Sequence, residues 1–293
     1  MSITKIGWIG TGVMGKSMCK HLLKAGFELS VYNRTESKVE ELVSLGAKKA
    51  TLLSIFSSSD VVVTMLGYPK DLQDLLYSQD LLPKIKPGGY YIDHTTSSPL
   101  LAQEISKSCQ RIGVHAYDAP VSGGDIGARN GKLVTMLGGE EASLAAVLPV
   151  MHCYSAKVQL MGAAGKGQHT KMANQIFIAG QMIGVIEGLL YAFKAGLDQT
   201  EVIELLSKGA ANSFSLTAYG PRILKHDFEP GFYVEHFLKD LKIALDECKK
   251  FDIQLKGLEL AYQFYDYLEK EGYGRKGTQA LYIAISKLNK LNI

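Results

Sequence analysis

The sequence predicts an α/β fold, a doubly wound, mainly parallel sheet with helices on both faces followed by an all-α C-terminal domain. Three observations predict it. Up to residue 162, short apolar runs rich in β-branched and aromatic residues alternate with amphipathic segments, the pattern of repeated βα units with helices on both faces of a sheet. Beyond residue 162 the periodicity is helical, and no proline occurs between Pro149 and Pro221. A glycine string follows the first strand-like run directly. The 293 residues suggest two domains at roughly 150 residues each. With 46% hydrophobic and 21% charged residues the chain is globular rather than disordered. Its 32 basic and 29 acidic side chains leave a formal charge of +3, which gives no electrostatic reason to expect nucleic acid or an anionic membrane as partner.

In chain order the strand-like runs are residues 5–9, 29–32, 61–66, 90–92, 114–117 and 133–137. Helical spacing fills the gaps at 16–24, 37–45 and 100–112. We place the domain boundary after residue 162, giving an α/β domain at 1–162 and an all-helical domain at 163–293. Gly162, Gly165 and Gly167 then precede a long helix at about 167–194, and helical spacing returns at 234–251 and 257–270. Residues 176–193 are apolar enough to raise the question of a membrane span. Gln181 and Glu187 lie within them, and a carboxylate near mid-span costs roughly 2.5–3.5 kcal/mol. A central core helix or a subunit interface is therefore expected, with Gly180, Gly184 and Gly188 forming a stripe that a second helix can approach. Cys19, Cys109, Cys153 and Cys248 are widely spaced, with no CxxC pair, so reduced thiols are expected. The first apolar run leads into glycines rather than a cleavage site, so a cytoplasmic protein is expected.

Gly10-Thr11-Gly12-Val13-Met14-Gly15 lies between the first strand and the first helix. In that context the three glycines serve in turn a tight turn, a close approach of backbone to a pyrophosphate, and close helix–strand packing. The end of the second strand reads Val31-Tyr32-Asn33-Arg34-Thr35, without the carboxylate that holds the ribose 2′-hydroxyl of NAD. Asn33 removes a charge that would repel a 2′-phosphate, Arg34 offers it a planar fork and Thr35 a hydroxyl. NADP(H) is expected over NAD(H), with NAD(H) still admitted. Met65 and Leu66, ending the 61–66 run, are further candidate cofactor contacts.

Three more segments suit a small carboxylate-bearing substrate and a proton transfer. Asp118-Ala119-Pro120-Val121-Ser122-Gly123-Gly124 combines a hydroxyl with main-chain N–H groups that small residues leave accessible. In the segment from Gly165, Lys171, Asn174 and Gln175 stand at i, i+3 and i+4, so one helix face carries an ammonium beside two amides. His169 has no second histidine at ligand spacing, and no metal site is expected. In the third segment, Asp240 shares the apolar face of Phe237, Leu241, Ala244 and Cys248, so its carboxylate needs a partner; Lys171 is a candidate.

Across essentially its whole length the chain resembles the β-hydroxyacid dehydrogenases, which include 3-hydroxyisobutyrate dehydrogenase, tartronate semialdehyde reductase and the glyoxylate/succinic semialdehyde reductases. The resemblance rests on the glycine string through Met18, on Asp93 to Pro99, on Asp118 to Gly124, on Gly167 to Asn174, and on Phe232 eight residues before Asp240. It implies a Rossmann-type doubly wound, NADP-binding domain at 1–162 and an all-α substrate and oligomerisation domain at 163–293 joined by a long interdomain helix, with Lys171 as general acid–base assisted by Asn174. It also implies substrate binding by Ser122, Gly123 and Gly124 with Phe232 and Asp240 nearby, cofactor contacts from Thr96 and Lys239, and a homodimer or homotetramer built from the helical parts. Two departures bear on substrate: Gln175 stands where some relatives have a second Asn, and Gly277-Thr278-Gln279 where many carry an Asp. The expected reaction is reversible hydride transfer between a nicotinamide and the carbonyl carbon of a semialdehyde or keto acid. A lysine titrates near 10.4 when unperturbed, so proton donation during reduction is easier to supply than base action during oxidation. The alternatives are an imine reductase-like enzyme, whose kind generally lacks the lysine, and a non-catalytic NADP-binding scaffold, which would show a damaged lysine or serine–glycine loop.

Overall fold

Val61, Val62 and Val63 are all fully buried. Successive strand side chains leave on opposite faces, so such a run needs a sheet covered on both sides. Val61 and Val63 join Ile6, Trp8 and Ile92 in one core, and Val62 joins Ile9, Tyr91 and Ile105 in the other. The computed structural model describes residues 3–291. Among these, nine strands form one sheet: β1 (Lys5–Ile9), β2 (Glu28–Tyr32), β3 (Lys48–Lys49), β4 (Val61–Thr64), β5 (Tyr90–Asp93), β6 (His115–Asp118), β7 (Val121–Ser122), β8 (Leu133–Gly138) and β9 (Ser155–Gly162). The order β3-β2-β1-β4-β5-β6 is parallel throughout and reverses direction at β1 and β4, the point where a doubly wound sheet opens its crevice. β8 continues it antiparallel beside β6 and β7, and β9 pairs with β8 in parallel.

The sheet's helices are α1 (Val13–Lys24), α2 (Glu40–Ser44), α3 (Leu52–Ser58), α4 (Pro69–Gln73), α5 (Pro99–Arg111), α6 (Gly124–Arg129) and α7 (Leu144–His152). The Ser98 hydroxyl caps α5 by accepting from the Leu101 N–H, with Pro99 opening the helix where its missing N–H costs nothing. Two expectations change. The glycine-rich segment after Ser122, where the helical spacing of the sequence marks no helix, contains the short helix α6, entered through Gly123 and Gly124 at positive φ. β9 is absent from the strand-like runs because Lys157 and Gln159 interrupt its apolar residues, as an edge with a single partner strand permits.

Two compact units divide between Lys171 and Met172, inside the 29-residue helix α8 (Lys166–Lys194). The second unit continues with α9 (Gln199–Leu206), α10 (Gly220–Leu224), α11 (Val234–Lys250), α12 (Lys256–Leu268) and α13 (Leu281–Leu288). Its core joins Met182, Ile186 and Leu190 of α8 to Phe237 and Leu241 of α11 and Tyr265 of α12, whose ring meets Phe237 edge-on at 4.9 Å. By length and apolarity α8 could cross a membrane. It is not the fully enclosed core helix that its composition suggests, because it is buried on one side only. Phe177 is 70% and Tyr191 75% exposed, and a Cβ on Gly180, Gly184 or Gly188 would meet nothing within 4 Å.

Candidate active site

The glycine string occupies the carboxyl end of β1 and the start of α1, at the reversal of strand order. Gly10 has φ +98°, and a Cβ there would overlap the Met65 carbonyl oxygen; a Cβ on Gly15 would overlap the carbonyl of Gly10. A Cβ on Gly12 would meet nothing within 4 Å, and no side chain among the described residues caps α1 behind it. The first and third glycines are thus required by packing. The second leaves an approach to the N–H groups of α1, which suits a pyrophosphate and fits a dinucleotide. Val13 is exposed and Met14 half-buried beside this approach.

Asn33 holds the loop rather than merely lacking a charge. Its Oδ1 accepts from the Thr11 N–H at 3.1 Å and its Nδ2 donates to the Thr35 carbonyl at 2.9 Å. Arg34 is 90% exposed in its side chain, with a 3.9 Å ion pair to Asp71. Thr35 is exposed beside it. Leu66 donates its N–H to Thr95 Oγ1 at 2.9 Å, tying the end of β4 to the segment after β5.

That segment begins with two buried titratable groups. Burial pushes the Asp93 carboxyl up to about 7, against hydrogen bonds from Thr95 and Thr64 that favour its charged form. Burial also holds His94 down to about 4, and the neutral ring bridges the Ala119 carbonyl and the Tyr154 hydroxyl. Beside them, Asp118 at the end of β6 accepts the N–H groups of Gly165 at 2.7 Å and Gln168 at 2.8 Å, the opening of α8. Burial raises this carboxyl to about 6, less than Asp93 because several main-chain N–H groups favour its charge. Gln168 in turn accepts from the Ser97 N–H and donates to the Thr95 carbonyl. One turn on, the buried Lys171 Nζ donates to the Val121 carbonyl at 2.8 Å, so the first unit brings the lysine to the residue before Ser122. Ser122, Gly123 and Gly124 are half-buried.

In the second unit the polar groups form a chain. Asn174 Nδ2 donates to Gln175 Oε1 at 2.7 Å, and Gln175 Nε2 donates to Asp240 Oδ2 at 2.6 Å. Lys239 Nζ lies 2.7 Å from Asp240 Oδ1, an ion pair by distance whose angles do not make a hydrogen bond. Asp240 therefore has an amide and an ammonium of its own unit as partners. Phe232 packs against the core, its ring 5.5 Å from Phe237. Gln279 is buried and donates to the Asp227 and Glu229 carbonyls, bracing the segment that leads to Phe232. Sequence reasoning assigns no role to Gln168 or Asp118, although both lie inside the motifs it singles out.

Comparison with known proteins follows the same division. The sequence model for the NAD binding domain of 6-phosphogluconate dehydrogenase matches residues 5–162, and that for the NAD-binding region of NADP-dependent 3-hydroxyisobutyrate dehydrogenase matches residues 165–285. The chain is 50% identical over 295 residues to a probable 3-hydroxyisobutyrate dehydrogenase-like 1 protein of Arabidopsis thaliana, covering 100% of this chain and 88% of that one. It is 33% identical over 283 residues to the 2-hydroxy-3-oxopropionate reductase of Escherichia coli, covering 96% and 97%. Among solved structures, Mycobacterium tuberculosis 3-hydroxyisobutyrate dehydrogenase with L-serine superposes with a TM-score of 0.87 at 26% identity, covering 97% and 99%.

Proposed function

The chain belongs to the β-hydroxyacid dehydrogenase family and is an NAD(P)-dependent oxidoreductase acting on a hydroxyl carbon; from that premise we propose that it reduces a short semialdehyde or keto acid bearing a carboxylate, with NADPH and with Lys171 as proton donor. The observation that carries this reading is the buried Lys171 Nζ, held on the Val121 carbonyl next to Ser122. The bound nicotinamide supplies the hydride for the carbonyl carbon, and takes one back in the reverse direction. Lys171 gives the proton that the carbonyl oxygen needs as it becomes a hydroxyl. Ser122 with the main chain of Gly123 and Gly124 holds the substrate carboxylate, and Asn174 orients the reacting oxygen. Phe232 and the Asp240 chain shape the remainder of the substrate site. Gly10, Gly12, Val13, Met14, Gly15, Asn33, Met65, Leu66, Thr96 and Lys239 hold the cofactor. Arg34 and Thr35 read the 2′-phosphate: the absence of a carboxylate at Asn33 and the exposure of the Arg34 fork favour NADP(H), while NAD(H) remains usable.

The exposed side of α8 supports assembly into a homodimer or homotetramer, since Phe177, Tyr191 and three glycines form an apolar stripe. The four cysteines are free thiols, which suits a reducing compartment such as the cytoplasm.

A screen of glyoxylate and of succinic, methylmalonate and tartronate semialdehydes with NADPH identifies the substrate. With that substrate, Lys171→Ala should lose on the order of 10²–10⁴-fold in kcat while binding NADPH as before. Full activity of Lys171→Ala would end the assignment of the proton donor.

A further inference from the structure

A primary amide that is completely buried must satisfy an acceptor and two donors, and Gln168, at 0% exposure, spends two of these on one short stretch of main chain. Its Oε1 accepts the Ser97 N–H at 2.9 Å, and its Nε2 donates to the Thr95 carbonyl at 2.8 Å. The two bonds bracket Thr96, and their polarity leaves one orientation of the amide, because an N–H must meet oxygen and a carbonyl must meet NH₂. At its other end the residue is fixed through the main chain, where its N–H donates to Asp118 Oδ2 at 2.8 Å while the Gly165 N–H donates to Oδ1 at 2.7 Å. Asp118 comes this close because Gly138 and Gly167 lack side chains: a Cβ on Gly138 would stand 2.5 Å from Asp118 Oδ1, and one on Gly167 2.6 Å from the Asp118 carbonyl oxygen.

We infer that Gln168 is a positioning residue that registers the 95–97 segment to the first turn of α8, and through it to Lys171; this rests on the role proposed for Lys171. The helix is rigid over one turn, so the spacing between Thr96 and the lysine nitrogen is set by the Gln168 amide at one end and by the Lys171 to Val121 bond at the other. Loss of the amide leaves a buried carbonyl and a buried N–H without partners, and the loop relaxes away from the helix. A displacement near 1 Å at a reacting group can cost about 10²-fold in rate.

The test is a double-mutant cycle over Gln168→Met and Lys171→Ala, with kcat, KM, the primary isotope effect from 4-deuterated NADPH, and amide hydrogen exchange of the protein without cofactor. Gln168→Met should lower kcat by about 10- to 100-fold, change KM less than about threefold and raise the isotope effect. In the Lys171→Ala background it should change kcat less than about threefold, because the group it positions is gone. Without cofactor, exchange at the Ser97 amide should accelerate. Equal losses in both backgrounds, or unchanged protection of Ser97, overturn the inference. Full activity of Lys171→Ala overturns the acid–base reading and this one with it, so the two failures are distinct. Should Gln168→Met not fold, Gln168→Asn, one methylene too short to reach both partners, serves in its place with the same expected outcomes.

Discussion

Asp93 shows how much a single buried carboxyl can ask of this fold. Folded, it keeps its proton up to about pH 7, whereas the ordinary carboxyl of the unfolded chain loses it near 3.8. Between those values the folded state holds the extra proton, so this contribution to stability falls as pH rises, by about 1.4 kcal/mol per unit. Asp118, raised to about 6, acts in the same sense over a narrower window. His94 acts oppositely: its folded value of about 4 lies below the ordinary 6.5, so the unfolded state binds the extra proton and stability rises with pH between the two. The three partly cancel, and the effect of Asp93 is isolated by Asp93→Asn, whose amide oxygen still accepts from Thr64 and Thr95. The stability advantage of Asp93→Asn over the parent should grow between pH 4.5 and pH 7.5, by up to about 3 kcal/mol in denaturant titrations. A flat or shrinking difference contradicts the raised Asp93 value. Legibility in the sequence differs sharply among such residues. Lys171, Asn174 and Asp240 announce themselves by type and spacing on a helix face. Gln168 does not, because both partners of its amide are main-chain groups and leave no side-chain signature elsewhere in the chain.

Elements are easier to read than their surroundings. The inner strands of the parallel sheet appear in the sequence because burial on both faces demands apolar runs, whereas β3, two exposed lysines at its edge, does not; β5 and β8 deviate from expectation by only a residue at an end. β9 and α6 are hidden for opposite reasons, the first by polar residues on a sheet edge and the second by glycines that signal turns. For α8 the composition is plain, but what covers its outer side is not, because an apolar stripe reads alike in a core and in an interface. That stripe has a test. Phe177→Glu with Tyr191→Glu places two carboxylates where the proposed subunit contact lies, and light scattering should find a smaller assembly with an unaltered circular dichroism spectrum. Gly184→Ala separates the alternatives further. In an isolated subunit it has room and should gain up to about 1 kcal/mol in helix propensity. In a tightly packed assembly it should weaken association. Glutamates that leave the mass unchanged remove α8 from the interface.

At the scale of the whole molecule, the hydrophobic clusters of the sheet are built from residues up to Leu160, and that of the helical unit from Met172 onward. Motif placement puts Gly10, Gly12, Asn33 and Arg34 of the expected nucleotide site in the first of these, and of the expected cofactor contacts only Lys239 in the second. A ligand that binds the folded form of that unit stabilises it by mass action, by about 2.7 kcal/mol at a hundred times its Kd. For a unit of this size each kcal/mol raises the melting temperature by about 2–4 °C, so saturating NADP⁺ should lift the first unit's transition by several degrees. NAD⁺ lacks the 2′-phosphate that Arg34 and Thr35 are proposed to meet, and at equal concentration it should lift that transition less. Arg34→Ala ought to shrink the shift from NADP⁺ and leave the shift from NAD⁺ as it was. The exposure of Arg34 makes this a clean substitution, since its ion pair with Asp71 is a long 3.9 Å contact at the surface and no core packing is lost. An equal or larger shift from NAD⁺ in the unsubstituted protein would assign the cofactor the other way, and Asn33 would then serve only to hold Thr11 and Thr35 in place.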